Sequence, residues 1–312
     1  MGENGRSQQD GQDGQDGQDG QRARAASRTA VLVCQGRAAA DGRAAVGRFA
    51  DPVAVRLLRA EERTVVEQVR AGTPPQGWRE RTGYESVRAC AEVAVPRTVA
   101  IDEALRERTG SQLVVLGAGL DTRAWRLADL ARTDVWEVDH PASQQDKRTR
   151  LAAAGAEPAA RSVHFTAVDF AVDDLATALA DAGHDPAAPT TWLWEGVVPY
   201  LTREQVRATL AALAGRTAPG SALVLNYQAP SAKAAAGRLL TRLLGNSVTA
   251  GEPWRSLWKP QQLAALLAEH GFRTTADHDL LTLARPLDTP AHGRTSLRTG
   301  RVAVAITAAE HR

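Results

Sequence analysis

Cysteine is nearly missing from this 312-residue chain, which has only Cys34 and Cys90. They lie far apart and fit no metal-ligand spacing. That excludes a disulfide framework or a zinc ribbon and agrees with a reducing compartment. No unbroken apolar run reaches the roughly eighteen residues of a membrane span, and the first residues hold no signal-peptide core, so a cytoplasmic location is expected. An excess of one charge is absent too. The net charge of +2 argues against a dedicated binder of nucleic acid or of an anionic membrane. No Ser-His-Asp elbow, HExxH helix or clustered ligand set occurs, so no metal is expected and covalent hydrolysis has no seat.

What the chain does have begins with Gln-Asp-Gly repeats from Gln9 to Gln21. Glycine every third residue without proline cannot form a collagen helix, and such polar repeats bury nothing. Residues 1–28 are therefore expected to be a solvated tail, and 29–312 one large domain.

The domain is organised around Leu113 to Leu127, LVVLGAGLDTRAWRL. The apolar run Leu113-Val114-Val115-Leu116 suits a strand buried on both faces. It stops at Gly117-Ala118-Gly119, and helical character resumes from Thr122. Strand, glycine turn and helix open a doubly wound α/β sheet, in which ligands bind outside the carboxyl ends of the strands. Gly117 and Gly119 let the backbone turn sharply and a ligand come near. Thr122 stands where a dinucleotide fingerprint has its third glycine, which argues against a nicotinamide-dependent dehydrogenase. Asp121 follows the turn, and a second strand, Val135 to Val138, carries Glu137 and ends at Asp139. Carboxylates at this place can accept from a ribose diol.

Three further stretches complete the pattern. GRFADPVAVRLL puts Asp51-Pro52 at a helix start, Asp51 as cap. VHFTAV ends in Asp169-Phe170, an acid that can accept from an adenine amino group beside a ring that can cover its face. TWLWEGVVPYL is a fourth strand ending in Glu195-Gly196, followed by Pro199-Tyr200 and a helix from Thr202.

GAGLDTRAWRL followed by WEVDHP resembles the S-adenosylmethionine (SAM) methyltransferases of the leucine carboxyl methyltransferase-like type, and within them the actinobacterial members. The resemblance runs from about Phe49 to the C-terminus and includes FxDPxAxxLL, RTxxxD at Arg97 to Asp102, and EGxxxYL at Glu195 to Leu201. It implies a mostly parallel seven-stranded, Rossmann-like sheet with an N-terminal helical lid over residues 29–108, and SAM as cofactor. By resemblance Arg97 pairs with the cofactor's carboxylate and Asp139 binds its ribose, while Asp169 and Phe170 hold the adenine. Glu195 binds the amino group or favours the sulfonium, beside Gly117, Gly119 and Asp121. Glu137 is expected on the opposite strand face from Asp139, and the basic cluster Lys147, Arg148 and Arg150 on a solvated helix face.

The implied activity is O-methylation of a small-molecule carboxylate or hydroxyl, with Tyr200 a weak candidate for a catalytic role. The alternatives are a SAM-binding sensor without turnover and, further off, the dehydrogenase. The acceptor side is expected in an insertion over residues 229–258, with a helix near Leu239 to Leu244 and with Trp254 and Trp258. Two closing strands, Arg273 to Leu280 and Arg301 to Thr307, are expected to be separated by a long polar loop.

Overall fold

The computed structural model describes residues 27–108, 110–231, 254–289 and 294–307. The Gln-Asp-Gly repeat, the helix expected near Leu239 and most of the 229–258 insertion lie outside them.

Seven strands form one sheet in the order β3-β2-β1-β4-β5-β7-β6. They are β1 (Gln112–Leu116), β2 (Asp134–Asp139), β3 (Ser162–Ala167), β4 (Thr190–Trp194), β5 (Ala222–Gln228), β6 (Arg273–Asp279) and β7 (Gly300–Ile306). β1 to β5 run parallel, and β7 pairs antiparallel with both β5 and β6. The chain winds outward from β1 to β3, then returns to start β4 on the other side of β1. The order therefore reverses between β1 and β4, and the carboxyl ends of these strands flank the crevice where such sheets take ligands.

Successive side chains of a strand point to opposite faces, so a strand covered on both sides needs apolar residues throughout. β1 meets this requirement. Leu113 and Val115 join one core and Val114 and Leu116 the other. Trp192, Trp194, Leu223, Leu225 and Tyr227 also belong to the second core, which the helices α7 (Leu175–Asp181), α8 (Arg203–Ala214) and α9 (Pro260–Glu269) close.

The first core is closed by the N-terminal helices α1 (Arg28–Ala40), α2 (Ala54–Leu57), α3 (Ala60–Ala71) and α4 (Trp78–Arg108). After the glycine turn come the one-turn α5 (Arg123–Arg126) and, beyond β2, α6 (Pro141–Ala154). α4 starts at Trp78 and runs through Pro96. Asp51 Oδ1 accepts from the Ala54 amide at 3.0 Å, so it caps as expected, although α2 begins at Ala54 and not at Pro52.

The closing strands do form an antiparallel pair, but a long polar loop does not join them. α10 (Leu280–Ala284) and α11 (Arg294–Thr299) lie between. Leu280, Leu287 and Leu297 are buried there, and their apolar area is what orders the segment.

Gly117 and Gly119 have φ of 64° and 47°, in the left-handed region that favours glycine. A Cβ on Gly117 would lie 2.2 Å from Val197 Cγ2, and one on Gly119 would lie 3.2 Å from Ala30 Cβ in α1. The turn is thus packed by the segment after β4 and by the first helix. Gly117→Ala is expected to destabilise the protein by roughly 1–3 kcal/mol in urea unfolding, from strained φ and the displaced Val197. Gly155→Ala, also left-handed but with nothing within 4 Å, is the control and should lose clearly less.

Candidate functional site

The carboxyl ends of β1, β2 and β4 bring the expected residues together. Asp139, the last residue of β2, turns back to the glycine turn. Its Oδ2 accepts from the Gly119 amide at 2.6 Å and its Oδ1 from the His140 amide at 2.7 Å. Burial raises its pKa, with these two donors opposing. A carboxylate has about four lone-pair positions, so two remain for hydroxyl donors.

Glu195 follows β4. Arg97 Nε on α4 donates to its Oε1 at 2.6 Å, and Arg123 Nη1 on α5 to its Oε2 at 2.7 Å. Burial pushes the carboxyl up, but Arg123 and then Arg97 outweigh it and bring the pKa down to about 2. Asp121 receives the Arg123 backbone amide at 2.7 Å and its guanidinium as well. Its carboxyl is also held low, with Arg123 overcoming burial.

Asp169 and Phe170 stand half-buried just beyond β3, with Asp169 Oδ2 3.9 Å from His140 Nε2. They lie beside Asp139 but outside the Arg97–Glu195 cluster. Tyr200 is half-buried in the 3₁₀ turn Val198–Tyr200 after β4. Among the described residues of the insertion, Trp258 is buried in the second core and Trp254 is exposed. No cluster of His, Cys, Asp and Glu able to hold a metal occurs among the described residues. None of their helices is long and apolar enough to cross a membrane.

Two expectations are corrected here. Glu137 and Asp139 are two residues apart and share one face of β2 with Val135, because side chains alternate with a period of two. Depth separates them. Glu137 is 1% exposed and lies under the turn, with Lys147 Nζ 2.6 Å from its Oε2. Burial raises the Glu137 pKa to about 7, with Lys147 opposing. The basic cluster of α6 is likewise not a solvated face. Lys147 also sits over the Trp125 ring at 4.8 Å, and buried Arg150 pairs with Asp146 and Glu62, both at 2.6 Å. Only Arg148 is exposed.

Sequence reading missed the ions that surround the site. Arg37 on α1 donates to Asp51 Oδ2 at 2.7 Å and to the Leu120 carbonyl, inside the glycine turn, at 2.6 Å. The Thr122 hydroxyl reaches the same Asp51 oxygen at 2.7 Å. Asp102 takes Arg123 and Arg126, both at 2.7 Å. The only sequence signal was that Asp51, Asp102 and Arg123 fall inside recognisable motifs. Their burial follows from contacts that no local pattern records.

A cavity of about 430 Å³ opens elsewhere, between Arg56–Arg63 and the far end of α6. It lies away from the strand ends, and the charged groups converge at the strand ends.

The chain belongs to the leucine carboxyl methyltransferase family, whose sequence profile matches residues 30–214. It is 38% identical to a Saccharopolyspora erythraea protein over 56% of this chain and 58% of that one. It is 34% identical to a protein of Mycobacterium sp. strain JLS over 69% of this chain and 73% of that one. Both are provisionally named S-adenosyl-L-methionine-dependent methyltransferases. The chain matches less than two thirds of the length of the first of these. Among solved structures it is similar in fold to a DUF574 family protein of Streptomyces avermitilis, with TM-score 0.52, 14% identity, and coverage of 90% and 98% of the two chains.

Acid stability tests the Glu195 cluster. The folded pKa lies below the ordinary value of 4.5, so Glu195 contributes fully above about pH 4.5 and loses that contribution as pH falls toward 2. Glu195→Gln should cost on the order of 3–5 kcal/mol at pH 7, because buried guanidinium is left uncompensated. Unfolding free energies of parent and variant should converge as pH drops from 5 to 2.

Proposed function

We propose that this protein is a SAM-dependent methyltransferase acting on an oxygen of a small molecule, a carboxylate or a hydroxyl. The observation that carries the reading is the convergence of Arg97, Glu195 and Asp139 at the carboxyl ends of β4 and β2, on either side of β1 and its glycine turn. Arg97 and Glu195 neutralise each other in a buried position. A ligand head group with one carboxylate and one ammonium offers each of them a replacement partner. Asp139 has acceptor capacity left for a ribose diol. Asp169 and Phe170, beside it, suit an adenine edge and face. The donor set therefore fits the amino-acid head group and the ribose diol of SAM, and the amino group of its adenine.

When bound, SAM supplies an electrophilic methyl group on a positive sulfur. What the chain supplies is alignment and exclusion of water. Arg97 and Glu195 fix the amino-acid end, Asp139 fixes the ribose, and the N-terminal helices cover the glycine turn. A carboxylate acceptor is already a nucleophile and needs no base, whereas a hydroxyl needs one. The family membership favours an oxygen acceptor. Tyr200, half-buried in the turn after Glu195, is the side chain we assign to the acceptor side. A role as a SAM-binding sensor would use the same residues, and turnover separates the two: incubation with SAM and a metabolite extract should yield S-adenosylhomocysteine and a mass gain of one methyl.

Asp139→Ala should weaken SAM at least about tenfold in calorimetry, since it removes two charge-assisted hydrogen bonds. Asp139→Asn should lose less. Glu137→Ala should act differently, lowering the melting temperature by orphaning Lys147 while changing SAM affinity little. A larger affinity loss for Glu137→Ala than for Asp139→Ala would move the ribose contact to Glu137.

A further inference from the structure

Around the site lie four guanidinium groups and four carboxylates. Arg37 pairs with Asp51 at 2.7 Å, Arg126 with Asp102 at 2.7 Å, Arg97 with Glu195 at 2.6 Å, and Arg123 with Asp102 and Glu195 at 2.7 Å each and with Asp121. Every one of these side chains is at most 12% exposed. Four positive and four negative charges make the set neutral as it stands.

Glu195 divides its two oxygens between two arginines that differ in how firmly they are held. Arg97 has Glu195 as its ion-pair partner in the cluster. Arg123 is fastened three ways: its Nε to Asp102, its Nη1 to both Asp121 and Glu195, and its backbone amide to Asp121 Oδ1. A ligand carboxylate that draws Arg97 away therefore leaves Glu195 with Arg123.

We propose that Arg123 is a positioning residue that keeps Glu195 charged and aimed at the strand ends when Arg97 turns to the ligand, so that the site selects a zwitterionic amino-acid head group. The proposal rests on the cofactor reading above. Its physical basis is charge balance. Replacing the internal Arg97–Glu195 pair by a zwitterion leaves the buried network neutral. A ligand carrying only one of the two charges strands either Arg97 or Glu195, and an unpaired buried ion is costly. The charged groups facing Glu195 are Arg123 and Asp121 beside the glycine turn, Arg97 on α4 and Arg37 on α1. Arg123 is the largest of their contributions that hold the carboxyl low.

The test compares two probes that share the nucleoside and differ in the head group, S-adenosylhomocysteine and 5′-methylthioadenosine. Calorimetry of the full chain is run from pH 5 to 8 on the parent, Arg123→Gln and Arg123→Lys. In the parent the ratio of affinities for S-adenosylhomocysteine and methylthioadenosine should be flat from pH 5 to 6, where Glu195 is ionised throughout and any change at Asp139 falls on both probes alike. Arg123→Gln should lose at least about tenfold for S-adenosylhomocysteine, with a further fall below pH 6. Its affinity for methylthioadenosine should stay within about threefold, since that ligand makes no use of Glu195. Arg123→Lys keeps the charge but cannot serve three carboxylates, so its loss should be intermediate and again confined to S-adenosylhomocysteine. Where Arg123→Gln does not fold, the lysine variant carries the same comparison. Equal losses for both probes, or an unchanged S-adenosylhomocysteine profile, overturn the positioning role. A parent that binds neither probe removes the cofactor reading itself.

Discussion

The ionic network of Arg37, Asp51, Arg97, Asp102, Asp121, Arg123, Arg126 and Glu195 is what the rest of the structure depends on. Its members come from α1, the segment before α2, α4, the glycine turn, α5 and the end of β4. Buried ion pairs add little net stability, because the desolvation of each charge offsets most of the attraction. Removing one partner is another matter, since the other is left charged and dry. The network therefore acts as a condition on geometry. The N-terminal helices and the sheet end must meet in one arrangement, or several buried charges go unmatched at once.

That condition explains why the glycine turn is so closely confined. Arg37 holds the Leu120 carbonyl, Asp139 holds the Gly119 amide, and Val197 and Ala30 close on the two glycines. Left-handed backbone at Gly117 and Gly119 lets the chain reverse between β1 and α5 without a side chain in the way. The turn, the end of β2 and the end of β4 are thereby held as one unit. In the proposed reading, methyl transfer needs little chemistry from the protein and much alignment, and the joint placement of these three ends is what would supply it.

How much of this was legible in the sequence follows from the range of each signal. The parallel strands could be read because apolar runs such as Leu113 to Leu116 are local, and the antiparallel closing pair because its two β-like stretches are local too. The placement of the glycine turn, Asp139 and Glu195 at strand ends could be read because local pattern marks where the strands stop. Arg37, Asp102, Arg123, Lys147 and Arg150 could not be read as buried, because an arginine on a helix looks solvated until its partner is known. The partners are remote: Arg37 meets Leu120, Arg97 meets Glu195, and Arg150 meets Glu62. The helices between β6 and β7 were hidden for a related reason. Short helices held by a few buried leucines have too few turns to show a period.

Glu137 and Glu195 show how the same side chain acquires opposite characters from different partners. Both are buried, and burial raises both. Glu195 has two arginines on its two oxygens and ends near pKa 2, so it is a permanent anion facing the strand ends. Glu137 has one ammonium, with Asp121 and Asp139 adding like charge nearby, and ends near 7. A carboxyl poised there suits neither a cation-binding wall nor a hydroxyl clamp. Its position beneath the turn, with Lys147 held against the Trp125 ring, makes it part of the floor on which Asp139 stands. The different surroundings of the two acids of β2 thus come from depth and partner, since the strand face they share cannot distinguish them.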